Sequence, residues 1–243
     1  EDIGTIAYFA CGMLILVIPA VFRLFGNTPA IQPVSVSLQV ICLRWIFLWQ
    51  FAVSALHAYR GGGFMAEWAI AAHAVRIFSP VALVALLCAG GESDASGRST
   101  IIGEWLLRLA IVATFVTHGV EAIRLNPAFV DLLIGSAENL LGLTLSQTVT
   151  NVLLYIIGAI DIVLAVLLLG TRWRWVPAYL AFSGFVTACS RITAAGLIGF
   201  AFAYPETLIR AANGGAPLAL FILCCVAARS NRSPPAPKSR PQE

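Results

Sequence analysis

Apolar residues gather along this chain in long runs broken by short polar connections, and each run matches the roughly 20 residues that an α-helix needs to cross a bilayer. The runs lie near residues 3–25, 36–58, 67–89, 102–123, 149–170, 176–203 and 207–228. They predict an all-α, polytopic membrane helical bundle of about seven transmembrane helices, forming one domain over residues 1–228. The sixth run is overlong and holds Arg191, which predicts a tilt, kink or break near Gly196 or Gly199. Between the fourth and fifth runs, Asn126 is a capping residue and Pro127 suits a first helical position. Phe129, Leu132, Leu133, Leu140 and Leu141 then make an apolar stripe. Residues 125–148 therefore read as an interfacial connection lying over one mouth of the bundle. The closing segment, residues 229–243, is polar, basic and Pro-rich, and predicts a disordered tail. Residues 43–60 laid on residues 107–124 match at Leu43 and Leu107, Arg44 and Arg108, Phe51 and Phe115, Ala58 and Ala122, and Arg60 and Arg124, as a duplicated helix pair would.

Composition sharpens the class. The 243 residues are 59% hydrophobic and 11% charged, against about 25% charged in soluble domains, and the mean hydropathy is +0.88. The lipid bilayer is thus the first expected partner. The net charge of +3 rests almost wholly on arginine, which suits buried fork-shaped pairing and snorkelling, and no nucleic-acid partner is expected. Cys11, Cys42, Cys88, Cys189, Cys224 and Cys225 all fall in apolar runs without metal-ligand spacing, and read as small buried core residues. Arg23, Arg98, Arg172, Arg174, Arg229, Arg232, Lys238 and Arg240 fall in connections of one parity, and Arg60, Arg124 and Arg210 in the other. Basic residues favour the cytoplasmic side, so the N-terminus is expected outside, the C-terminus inside, and residues 125–148 outside. The chain opens at Glu1 without Met, which is compatible with a removed leader.

Ionisable groups inside a bilayer are costly unless paired or used, and the fourth run carries four. Glu104 and Arg108 stand four apart, acid first, as a helical ion pair prefers; His118 and Glu121 stand three apart on one face. A rise of about 1.5 Å per residue sorts the buried polar groups into two layers. Arg108, Arg44 and Asp161 share the lower one, where a carboxylate bridging two guanidiniums predicts a latch. His57, His73, His118, Glu121, Arg76 and Arg191 share the upper one. Imidazoles with a carboxylate can hold zinc, copper or non-haem iron, two opposed imidazoles can ligate a haem, and His, Glu and Arg can bind and protonate a quinone headgroup between flat walls such as Phe115 and Phe129. Spacing alone leaves these open, although no H-x-x-x-H or E-x-x-H ligand pair is present.

Four motifs in order carry a resemblance. LLRLAIVATFVTHGVEAI resembles the Leu-Leu-Arg helix with a following His-Gly of DoxX-like membrane proteins, and GAIDIVLAVLLLGTRWRW resembles their Gly-x-x-Asp helix with a basic inner end. FVTACSRITAAG is similar to their Thr-Ala-x-x-Arg helix, and YPETLIRAANGGAPLAL to the late segment of larger members; together the motifs span residues 102–228. The resemblance implies a helical-bundle subunit like that of thiosulfate:quinone oxidoreductase, in which electrons from a sulfur compound reach membrane quinone. It further implies the bacterial cytoplasmic membrane, partner membrane or periplasmic subunits, and motif roles for Arg108, His118, Asp161 and Arg191. Two functions follow as expectations: a redox-linked, quinone-handling subunit with His118, Glu121, Arg108, Asp161 and Arg191 in catalysis and His57, His73, Arg76 and Phe115 around the bound group, or a non-catalytic accessory scaffold of a larger complex. A transporter is a third class, permitted by the repeat and by Asp161.

Overall fold

The structure is a computed structural model that describes residues 32–89 and 97–230. The first predicted span, Cys11, Arg23 and the tail from residue 231 onward lie outside the described residues. Everything described is helix or connection. Helix α1 (Gln32–Arg60) leads through a 3-10 turn (Ala66–Trp68) into α2 (Ala69–Ala72) and α3 (Ala74–Cys88). Helices α4 (Arg98–Ile123), α5 (Pro127–Leu141), α6 (Gln147–Gly170), α7 (Trp175–Arg210) and α8 (Ala212–Ser230) follow.

Five segments among the described residues are long and apolar enough to cross a membrane: Val36–Arg60, Ala66–Cys88, Arg98–Ile123, Gln147–Gly170 and Ile198–Ala228. The first four coincide with predicted runs to within a few residues. The last corrects the boundary drawn near residue 205. The chain breaks at Gly196, where φ is 65° and ψ −174°, a left-handed conformation that glycine adopts without the clash a Cβ brings. Contacts across the break run in opposite directions: Arg191 meets Glu206, Gly184 meets Asn213, and Phe185 meets Gly214, while Leu180 and Leu220 share one core. Residues 175–195 and 198–228 therefore form an antiparallel hairpin turning at Gly196. Gly184 permits its closeness, because a Cβ there would strike the backbone of Asn213.

Helix α4 is the axis of the bundle, packing on α3, α6 and α8. Its Leu107, Ala110, Ile111 and Phe115 join Ala74, Val75 and Ala82 of α3, Leu164, Ala165 and Leu168 of α6, Val176 and Leu180 of α7, and Ala216 and Leu220 of α8 in the main core. In lipid such packing rests on close fit rather than on expelling water, so small residues set the distances. A Cβ on Gly119 would lie 2.7 Å from the Gly158 carbonyl oxygen, and one on Gly158 would press on the Gly119 carbonyl in return.

Helix α5 forms where predicted. Asn126 Oδ1 accepts from the Ala128 amide at 3.1 Å, Pro127 stands at the first position, and Gly142 closes the helix in the left-handed region. The stripe differs from expectation: Val130, with Phe129, Leu133 and Ile134, packs on Ala122 and Leu154, whereas Leu140 and Leu141 are exposed. Its other attachments are polar and reach α7 beside the Gly196 break. Ser136 Oγ donates to the Ser190 carbonyl at 3.1 Å, and Asn139 Nδ2 to the Ala194 carbonyl at 2.8 Å.

The matched positions of the apparent repeat differ in environment. Leu43 and Leu107 are both buried, but Arg44 and Phe51 are exposed where Arg108 and Phe115 are buried.

Candidate functional site

The richest polar cluster lies at the α5 end of the bundle. His118 and Glu121, one helical step apart on α4, meet through Nδ1 and Oε2 at 2.9 Å, with side chains 19% and 11% exposed. A carboxylate at that distance accepts the Nδ1 hydrogen, which leaves Nε2 as the working atom of the ring. Nε2 is buried and has no hydrogen-bond partner among the described residues. The Phe129 ring of α5 stands edge-on to the imidazole, 5.9 Å between centroids.

His73 joins this group because a helix stops there. It separates α2 from α3 with φ −102° and ψ 10°, so the Val75 amide and the Ala71 carbonyl lose their mutual bond. Unsatisfied backbone is costly in lipid. The Thr114 hydroxyl of α4 takes both, accepting from Val75 N at 3.0 Å and donating to Ala71 O at 3.4 Å. His73 Nδ1 lies 3.0 Å from Ser54 Oγ of α1, and the ring is within electrostatic reach of Arg76, His118, Arg210 and His57. His57 itself is exposed on α1.

The hairpin supplies the rest. Glu206 bridges two arginines, with Oε2 3.1 Å from Arg191 Nη1 and Oε1 3.5 Å from Arg210 Nη2, and also feels Arg76. Among the described residues the cluster thus holds three guanidiniums and two carboxylates. The upper layer expected from helix depth is therefore brought together: His118, Glu121, His73, His57, Arg76 and Arg191. Glu206, Arg210, Ser54 and Thr114 complete it and were not anticipated. The acid at position 206, four before Arg210, was the available signal, but it fell in what read as a connection.

The lower layer is different from the expected latch. Arg108 is 4% exposed and fully engaged elsewhere. It pairs with Glu104 at 2.7 Å, donates from Nη1 to the carbonyls of Leu168 at 2.8 Å and Thr171 at 3.3 Å, and lies 5.7 Å from the centre of the Trp105 ring. It caps the C-terminal turn of α6, whose last carbonyls lack helical partners. Asp161 lies about 10 Å further along α6, seven residues at 1.5 Å each from Leu168, and its Oδ1 accepts from Ser183 Oγ at 3.4 Å. It makes no ion pair among the described residues. Arg44 is exposed on α1 and closes no bridge with it. Depth along a helix fixes height but not which way a side chain faces, and that is why the latch fails.

Two further expectations are corrected. Phe115 is 4% exposed within the main core rather than a wall of the polar site; Phe129 alone of the two aromatics reaches His118. Cys88 and Cys189 are exposed, Cys224 and Cys225 half-buried, and only Cys42 buried among the described cysteines.

Among the described residues, no three His, Cys, Asp or Glu side chains gather as metal ligands would. No family model matches the chain, and no curated protein or solved structure does so either. The fold and its apolar segments fit an integral membrane protein of the helical-bundle class, with a polar cluster at one end that is buried at Arg76 and Glu121 and exposed at His57 and Glu206.

Proposed function

We propose that the cluster around His118 binds the headgroup of a quinone and exchanges a proton with it, making this chain a redox-linked membrane subunit of the kind its resemblance to DoxX-like proteins implies. One observation carries the reading. His118 has a carboxylate on Nδ1 and a buried Nε2 with no partner among the described residues, a pairing that fixes the orientation and tautomer of an imidazole. A headgroup oxygen within reach of Nε2 gains or loses its proton there, and Glu121 stabilises the imidazolium when the ring is charged. Arg191 and Arg210, which share the single carboxylate of Glu206 among the described residues, offer positive charge to a headgroup that carries negative charge. Phe129 offers a flat apolar face, and α5 lies over the cluster, so bulk water is held off where hydrogen bonds act most strongly. The quinone supplies the two-electron chemistry; the chain supplies binding, orientation and the proton.

On the count of basic residues this end faces outside, in reach of a periplasmic electron donor. An accessory scaffold is the second reading, and it draws on Glu206 and Arg108, each satisfied by ion pairs that hold helices together. Purification followed by solvent extraction and quinone analysis, with an absorption spectrum, separates the two. A stoichiometric quinone supports the proposal, and a colourless, quinone-free protein that also fails to bind an added short-chain quinone contradicts it.

A further inference from the structure

At the opposite end of the bundle, the turn between α6 and α7 carries Arg172, Trp173, Arg174 and Trp175, and these four residues line a surface depression of about 450 Å³. The α6 membrane segment stops at Gly170 and α7 starts at Trp175, so the turn is too short to leave the level where apolar core gives way to headgroups. The two indoles stack on each other, 5.9 Å between centroids and 28° between planes. Both are more than half exposed, at 56% and 52%, and amphipathic rings of that kind prefer the membrane interface. Arg172 and Arg174 are exposed as well, and neither meets a carboxylate among the described residues. Glu104, whose partner Arg108 donates to the Thr171 carbonyl beside the turn, is committed to that arginine.

We infer that this depression is a docking site for the headgroup of an anionic phospholipid. Two guanidiniums on residues two apart in the chain offer forked donors to phosphate oxygens, a geometry that lysine does not match. The indole pair lies against the glycerol and first acyl carbons, which a free phosphate lacks. Basic residues at a membrane surface attract anionic lipid by about 1 kcal/mol each, so the pair sets a preference of roughly tenfold to thirtyfold over zwitterionic lipid.

The test uses the full chain in detergent, titrated with phosphatidylglycerol or phosphatidylcholine, with lipid retention read by native mass spectrometry. The wild type is expected to retain phosphatidylglycerol preferentially, and Arg172→Gln with Arg174→Gln to lose that preference by roughly tenfold or more. Arg124→Gln, at the other end, is expected to change nothing. Trp173→Leu with Trp175→Leu is expected to weaken retention of both lipids. Unchanged selectivity in the double arginine variant overturns the site, and so does full displacement of the lipid by inorganic phosphate, which marks a free-anion site.

Discussion

At the scale of single residues, the bilayer sorts this chain's charges by what each one touches. Arg108 gives its donors to Glu104 and to two carbonyls at the end of α6, so removing it strands a carboxylate and two backbone acceptors. Arg108→Met is expected to lower stability by about 2–4 kcal/mol, and Arg44→Met, at an exposed position, by less than about 0.5 kcal/mol. Thermal unfolding of both variants in detergent checks the difference, and equal melting temperatures would refute it. Among the described residues Asp161 has one hydrogen-bond partner, the Ser183 hydroxyl, which an amide oxygen can equally accept from, so Asp161→Asn is expected to leave the melting temperature near that of the wild type. A large loss would restore the ion-pair latch that depth alone suggests. The upper layer was readable at residue level because His118, Glu121 and His73 lie at similar heights on neighbouring helices. The lower was not, because height carries no information about azimuth.

Elements are where local sequence and tertiary context part company. The apolar runs, the Asn126 and Pro127 start of α5 and the weak point at Gly196 follow from propensity and were legible. The break at His73 was not, since nothing in AIAAHAVRIF interrupts a helical pattern; it exists because a side chain on another helix enters the backbone ladder. Thr114→Val keeps the shape of that side chain and removes its hydroxyl. The variant is expected to lose about 1–3 kcal/mol through the orphaned Val75 amide, and to disturb the His73 ring, which side-chain NMR of labelled histidine can follow. An unchanged His73 signal with full stability would remove Thr114 from its positioning role. Likewise Gly158→Ala drives a methyl toward the Gly119 carbonyl and is expected to cost about 1–3 kcal/mol, whereas Gly170→Ala meets open space and is expected to be neutral.

For the whole molecule, the hairpin about Gly196 and the covering helix α5 decide what the two ends of the bundle are. One end gathers the polar cluster beside α5; the other carries the arginines and tryptophans of the α6–α7 turn. The sequence pattern placed a boundary near residue 205 because an acid, a proline and an arginine look like a connection, and so it sent Glu206 and Arg210 to a loop. In the fold they pair with each other and, through Glu206, with Arg191. We propose from the count of basic residues that α5 lies outside, so a cysteine introduced at Glu138, exposed on α5, is expected to react with an impermeant reagent in intact cells while one at Trp173 stays protected; the reverse pattern inverts the topology.

The central claim is that His118 works rather than merely packs. Quinone content and binding of a short-chain quinone, measured on purified wild type and His118→Gln of matched melting temperature, test it most directly. The account predicts a folded, membrane-inserted variant that has lost the quinone; a variant that retains it at wild-type stoichiometry and affinity would contradict the account and leave the cluster as a lock between helices.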